Sequence, residues 1–256
     1  MRQICADLAA EHAALDAMVA PLDQAGWEQP TKAEGWDVRD TVFHIAYFDD
    51  TARLAIVDPP AFAESTRLML TGGGVDFAAL ARAMTGAELL AWWRTTRAEL
   101  LAAAVELDPK ARLPWYGPPM SALSFLTARL METWSHAYDV ADAVGATVVP
   151  TDRLKHIAHL GWVTRGWSYA NRGLAVPTDP VRLELTAPSG DAWAWGPEDA
   201  ADRVTGEAVD FCLAVTQRRR YDAVPLTIVG AVARDWMSKA QAFAGPATDT
   251  DADRTT

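Results

Sequence analysis

The chain has 256 residues, half of them hydrophobic and 22% charged, which is enough apolar surface to bury a substantial core and argues against general disorder. Acidic residues outnumber basic ones by 34 to 23, for a net charge of −11 at pH 7, and this charge repels nucleic-acid phosphates. Cys5 and Cys212 lie far apart in the sequence and indicate neither a disulfide framework nor a thiolate zinc site.

The N-terminal segment MRQICADLAAEHAALDAM lacks the basic region, apolar core and small-residue cleavage site of a secretory leader. The sequence also contains no uninterrupted run of about 18 apolar residues, the length that would suggest a membrane-spanning helix. Together with the small number of cysteines, these features predict a cytoplasmic protein with no membrane or nucleic-acid partner.

The first part of the chain has the three- and four-residue apolar spacing of amphipathic helices. Capping signals support the boundaries: Asp37 stands at an N-cap position, Thr85 and Glu88 form a capping box, and Gly145 is a typical C-terminal cap. Segment 59–74 is less periodic, and its glycine run at 72–74 suggests a flexible crossover into a short helical stretch. The predicted long helices cover residues 2–22, 37–57, 85–107, 121–145 and, as an extra run, 151–173.

The pattern changes beyond Pro177. VRLELTA alternates, PSGD is a turn signal and AWAW can form the second arm of a hairpin. We predict a helix over 201–220, a strand in 224–230 and a last helix over 232–245. The expected domains are therefore a helical bundle at 1–175, a small α+β domain at 176–246, and a disordered tail at 247–256, where the only apolar residue after Thr248 is Ala252.

Glu132 and His136 are the first candidates for chemistry, because residues four apart on a helix lie on the same face, one turn from each other. Such a pair can hold one metal ion. Taken alone it is weak evidence, since Glu/His pairs at this spacing are also common on solvated helix faces.

Two motifs supply context for this pair. The segment WEQPT followed by GWDVRDTVFHIAYFDD resembles the signature of the DinB-like superfamily, and METWSHAYDVADAVG resembles the second signature of its mycothiol-dependent maleylpyruvate isomerase-like branch. The later segments resemble an uncharacterised actinobacterial metal-binding subfamily of the same architecture. The resemblance implies a mainly α fold, with a DinB-like four-helix bundle, an extra helix and a small α+β C-terminal domain.

The resemblance also implies a ligand set. In that branch the histidine of the first motif and the Glu and His of the second bind a divalent metal, and these match His44, Glu132 and His136. Two imidazoles and one carboxylate are a normal set of protein ligands for Zn²⁺ with a fourth position left open. Nickel, iron or manganese could use the same ligands, and the sequence does not choose among them.

Three further residues are candidates for supporting roles. Asp139 could hydrogen-bond the imidazole of His136 if the ring turns toward it, or could be an ordinary surface charge. His12 could approach the metal from the first helix, or could be a histidine at the edge of the core. By resemblance Arg218 could anchor a substrate carboxylate, although Gln217 stands where the family has a small residue, and stabilising the end of its own helix is the alternative role.

The resemblance implies a thiol-dependent metalloenzyme, either an isomerase or an S-transferase. An open metal position can hold a low-molecular-weight thiol as its thiolate, and the thiol would be mycothiol or a related compound acting on a small electrophile. The alternative is a metal-binding protein without turnover, such as a sensor or carrier. The sequence identifies neither the electrophile nor the oligomeric state.

Overall fold

The structure is a computed structural model and describes residues 1–71 and 76–248. The chain divides into two compact units, residues 1–148 and 149–256. The glycine run at 72–74, predicted to be a flexible crossover, lies outside the described residues.

The first unit is a bundle of four long helices with shorter elements between them. Its elements are α1 (Arg2–Val19), α2 (Gln24–Trp27), α3 (Val38–Val57), α4 (Pro59–Thr71), α5 (Phe77–Arg82), α6 (Gly86–Ala104), β1 (Arg112–Leu113), β2 (Met120–Ser121) and α7 (Ala122–Val144). Helix α3 packs mainly against α6 and also against α7, while α1 packs mainly against α7. The buried side chains of Leu15, Ile45, Trp93 and Val140 belong to the common core. This confirms the predicted mainly α bundle.

Helices α3 and α6 begin, and α7 ends, where the capping residues predicted. The Asp37 side chain accepts a hydrogen bond from the Asp40 amide, and the Asp40 side chain accepts one from the Asp37 amide. Thr85 and Glu88 form the same reciprocal pair at the start of α6. Gly145 ends α7 in the left-handed conformation, with φ of 69°. Since α3 and α7 carry the candidate ligands, these caps help to fix where the ligands lie along the bundle.

The second unit combines short helices with a four-stranded sheet. Its elements are α8 (Leu154–Val163), α9 (Arg165–Ala170), β3 (Val181–Thr186), β4 (Ala192–Trp195), β5 (Asp202–Glu207), α10 (Ala208–Val215), β6 (Thr227–Val229) and α11 (Ala231–Lys239). The strand order is β4-β3-β5-β6. Strands β3 and β4 form the predicted antiparallel hairpin, with Leu185 opposite Trp193. Strand β5 runs parallel to β3, and β6 is antiparallel to β5.

The second unit has a strand and shorter helices where longer helices were predicted. The first part of the segment 201–220, predicted to be a helix, is strand β5, in which Leu183 of β3 pairs with Val204. Helix α10 then covers only Ala208–Val215. The predicted run at 151–173 is two helices, α8 and α9. The apolar spacing of 201–220 is typical of a helix, and the partner strand β3 lies earlier in the chain, before β4. Strand β5 was therefore not predicted.

The division between the units also differs from the predicted boundary after residue 175. Helix α8 packs on α10 within the second unit, and a β-carbon at Gly161 would lie 2.7 Å from Val215 Cγ2. The extra helical run therefore packs with the C-terminal unit. Of the predicted tail, Thr248 is held by its hydroxyl, which bonds to Gln217 Oε1 at 2.5 Å, and residues 249–256 lie outside the described residues.

Gly86 provides a test of the packing at the start of α6. A β-carbon there would overlap the indole of the buried Trp27. Gly86→Ala is therefore expected to lower the free energy of unfolding by about 1–3 kcal/mol, as overpacking does, although alanine has the higher helix propensity. Urea denaturation measures the change. Gly166→Ala in α9 is the matched control because nothing lies within 4 Å of the added carbon, and equal stability of the two variants would contradict the packing.

Candidate metal centre

Helices α3 and α7 bring His44, Glu132 and His136 together. One candidate donor atom from each residue lies within 4.8 Å of the other two. Glu132 Oε2 is 3.6 Å from His136 Nε2, as the four-residue spacing on α7 predicts, and the ring centroids of His44 and His136 are 4.8 Å apart. The packing of α3 on α7 thus joins a histidine and a Glu/His pair that are far apart in the sequence.

The Glu132 carboxylate is ionised at neutral pH. Burial alone would raise its pKa, but the hydrogen bond from His136 and the positive charges of His136, His44 and Arg129 outweigh that effect and lower the pKa to about 2. The side chain keeps 23% of its surface exposed. An anionic oxygen beside two imidazole nitrogens, still in contact with solvent, is suited to binding a cation.

Asp139 lies one turn beyond the Glu132/His136 pair and orients the His136 ring. Its Oδ2 atom is 2.9 Å from His136 Nδ1, and both residues are buried. With Nδ1 donating to this carboxylate, Nε2, the atom nearer to Glu132, is the ring nitrogen that can give up its proton and present a lone pair to a cation. The His136 ring is thus turned toward Asp139, as the supporting role requires, and the role itself stays a prediction.

Aromatic rings flank the two histidines. The Trp36 ring lies 5.2 Å from that of His44 and 6.2 Å from that of His136, nearly parallel to the latter. The Phe48 ring lies 4.7 Å from that of His44. Trp36 and Phe48 are only partly buried. They restrict the rotation of the imidazoles and limit the access of water to them.

His12 does not join the group of three. It is buried on α1, with its Nε2 atom 3.1 Å from Asp49 Oδ2 and its ring edge-on to Trp93 at 5.6 Å. Sequence reasoning did not identify Asp49 or its partner Arg129 as functional candidates. The available signal was Arg129 itself, an arginine within the apolar run FLTARLM of α7, where a buried cation requires a partner.

The part of the chain that contains these donors matches a known protein family. A family model described as the mycothiol maleylpyruvate isomerase N-terminal domain matches residues 8–141, a range that contains all three candidate donors and Asp139. The chain belongs to this family. The resemblance read from the two motifs is thereby confirmed at the level of the superfamily.

Two relatives of the chain extend over nearly its whole length. Uncharacterised proteins of Mycobacterium tuberculosis, from strains CDC 1551 and H37Rv, are each 47% identical over 94% of this chain and 95% of the relative. A second family model, described as wyosine base formation, matches residues 177–227, a part of the C-terminal unit that includes β3, β4, β5 and α10.

Solved structures share the fold of this family member. The crystal structure of the mycothiol-dependent maleylpyruvate isomerase superposes with a TM-score of 0.57 at 20% identity, and that of its histidine-to-alanine mutant with 0.57 at 17% identity. Each match covers 88% of this chain and 92% of the other chain. At this level of identity the similarity establishes the shared fold.

The donor set fits a divalent ion. Two donors about 2.1 Å from a tetrahedral ion lie about 3.4 Å apart, close to the 3.6 Å between Glu132 Oε2 and His136 Nε2. Two imidazoles and a carboxylate suit Zn²⁺ and the neighbouring transition metals rather than Mg²⁺ or Ca²⁺, which prefer oxygen ligands. Within residues 1–71 and 76–248 this is the group of histidine, cysteine and carboxylate side chains with such spacing.

Arg218, the candidate substrate anchor, belongs to the C-terminal unit. It follows α10, its amide donates to the Leu213 carbonyl, and its Nη1 atom donates to the Thr216 carbonyl at 2.8 Å. The preceding residue, Gln217, has a positive φ of 57°. These local bonds agree with a role at the end of the helix, and the role in binding a substrate carboxylate stays a prediction.

None of the helices in the described part of the chain combines the length and apolar character needed to cross a membrane.

Proposed function

We propose that the protein binds one divalent ion, zinc in the cell, through His44, Glu132 and His136, and uses it to activate a low-molecular-weight thiol such as mycothiol. The observation that carries the proposal is the convergence of these three donors within 4.8 Å in a member of the mycothiol maleylpyruvate isomerase family. The reaction is isomerisation of a small electrophile or S-transfer to it, in the cytoplasm, where such thiols are kept reduced.

When bound, the ion would lower the pKa of a coordinated thiol and keep it as a thiolate at neutral pH. The protein contributes fixed geometry and charge. Glu132 supplies one negative charge and thereby leaves a net positive site that attracts the thiolate. Asp139 holds the proton of His136 on Nδ1, and Trp36 shields the imidazoles on one side.

Isomerisation and S-transfer begin with the same step. The thiolate sulfur gives an electron pair to an electrophilic carbon. In isomerisation the double-bond pair moves to the adjacent carbonyl, the resulting single bond rotates, and the reverse movement expels the thiolate. In S-transfer the sulfur–carbon bond is kept and a leaving group departs with its electron pair.

The function is tested with zinc-loaded protein, mycothiol and two electrophiles, maleylpyruvate for isomerisation and monobromobimane for S-transfer. We expect turnover of one of them to require both the metal and mycothiol, and to be lost in His44→Ala. Stoichiometric metal binding without thiol-dependent turnover of either compound would instead support a sensor or carrier.

Asp139 is expected to set the affinity of the site without touching the ion. Asp139→Asn should weaken Zn²⁺ binding by about 10–100-fold, the usual effect of losing the partner of a liganding histidine, because the amide no longer fixes the tautomer and orientation of His136. Competition with a chromophoric chelator measures the affinity. Asp142→Asn is the matched control: Asp142 lies on the same helix and pairs with Lys32 at 2.9 Å. Equal affinities of the two variants would contradict the role of Asp139.

A further inference from the structure

A single buried carboxylate connects the four long helices next to the candidate metal centre. Asp49 lies on α3, five residues beyond His44, and its side chain is fully buried. Its Oδ1 atom accepts from Arg129 Nε of α7 at 3.0 Å. Its Oδ2 atom accepts from Trp93 Nε1 of α6 at 2.9 Å and lies 3.1 Å from His12 Nε2 of α1. Each oxygen of Asp49 thus contacts a different part of the bundle.

Arg129 makes a second contact with α3. Its Nη2 atom donates to the carbonyl of Ile45, the residue after His44, at 3.3 Å. The guanidinium therefore holds α3 at two points about one helical turn apart, on the stretch that begins next to His44. On α7, Arg129 precedes Glu132 by three residues, so that its side chain and that of Glu132 lie on neighbouring parts of one helix face.

Stability alone does not account for this arrangement. Removing two charges from water is costly, and a buried ion pair is often no more stabilising than apolar side chains of similar volume. The pair instead fixes the orientation of one helix relative to the other. The planar guanidinium donates along fixed lines to a carboxylate and a carbonyl, whereas apolar side chains tolerate sliding and rotation of one helix against another.

We propose that Asp49 and Arg129 form a positioning clamp that fixes the rotation and register of α3 against α7, and so holds His44 within reach of Glu132 and His136 before the ion binds. The hydrogen bond from Trp93 holds the Asp49 carboxylate in place, and the His12 ring lies beside it. The inference rests on the proposed function in that it assigns the clamp to the metal site. Arg129 and Asp49 are positioning residues, since they act through the three donors.

The bundle contains a second interhelical carboxylate group, which serves as a control. Asp16 of α1 pairs with Arg94 and Arg97 of α6. It is also an interhelical carboxylate held by guanidinium groups, but it joins two helices that carry none of the three donors. Its loss should change stability without changing the metal site.

The test uses the full-length protein and three variants, Asp49→Asn, Arg129→Lys and Asp16→Asn. Zn²⁺ affinity is measured by chelator competition, and the visible spectrum of the Co²⁺-loaded form reports the coordination geometry. We expect Asp49→Asn and Arg129→Lys to bind Zn²⁺ about 10–100-fold more weakly, as for other residues that orient metal ligands, and to show shifted Co²⁺ bands. Asp16→Asn should match the wild type in both measurements.

Arg129→Lys keeps the positive charge near Glu132 and removes the fixed fork, which separates positioning from electrostatics. Where Asp49→Asn does not fold, the double variant Asp49→Asn/Arg129→Gln removes both charges and keeps hydrogen-bonding groups, and it should show the same weakened affinity. Folded variants with wild-type affinity and spectrum would overturn the clamp. Absence of Zn²⁺ binding by the wild-type protein would overturn the proposed function instead.

Discussion

His136→Ala is expected to abolish stoichiometric metal binding. The substitution removes one of three protein donors and leaves His44 and Glu132, so the affinity should fall by more than the roughly 10–100-fold that follows loss of a supporting partner. After dialysis against a weak chelator, elemental analysis should find about one divalent ion per wild-type chain and almost none in the variant.

The fold of this variant should survive. A bundle with a buried core of this size does not depend on an ion as a small zinc-stabilised domain does, so the far-ultraviolet helical signal should stay close to that of the wild type. His156→Ala, on α8 of the C-terminal unit, is the matched control and should retain its metal. Wild-type metal content in His136→Ala would show that the three donors do not form the site.

Asp49→Ala is expected to lower the free energy of unfolding more than Gly86→Ala or Asp50→Ala does. It leaves the buried guanidinium of Arg129 and the indole N–H of Trp93 without the carboxylate that pairs with them, and breaking a buried ion pair costs about 3–5 kcal/mol. Urea denaturation measures the change. Asp50→Ala is the control, because the neighbouring Asp50 is partly exposed and pairs with Arg53, an interaction worth at most about 1 kcal/mol.

The stability contributed by Asp49 should also depend on pH. Burial would raise the pKa of its carboxyl, but Arg129, His12 and Trp93 more than offset burial and lower the pKa to about 2. Since the folded-state pKa lies below the unfolded value of about 3.9, the contribution is complete well above pH 4 and is lost as the pH falls toward 2. The stability difference between wild type and Asp49→Ala should therefore narrow over this range, and a constant difference would contradict the assignment.

The sequence contains most of the information about the individual helices and about the three donors. The caps at Asp37, Thr85 and Gly145 are local signals, and the spacing of Glu132 and His136 follows from the helix repeat. Trp36 and His44 belong to one short motif. The family resemblance predicted that His44, Glu132 and His136 converge, because it implied that α3 faces α7. The periodicity of each single helix does not show this.

The remaining features depend on contacts between distant segments. His12 was considered as a neighbour of the metal, but the side of α1 that faces α7 brings it to Asp49 instead. Strand β5 was missed because its parallel partner β3 is not adjacent in sequence. Helix α8 is amphipathic, but its apolar face alone does not indicate which of the two units it packs on. In each case the local pattern allows several partners, and tertiary packing selects one.

The most direct test of thiol activation at this site is a titration of the Co²⁺-loaded protein with mycothiol at pH 7, followed by visible and near-ultraviolet spectroscopy. A free thiol with a pKa of about 8.5 is mostly protonated at this pH, whereas coordination favours the thiolate. We expect a thiolate-to-cobalt charge-transfer band that saturates at one thiol per ion and is missing in His44→Ala. A protein that holds one Co²⁺ per chain and shows no spectral change with mycothiol would contradict thiol activation.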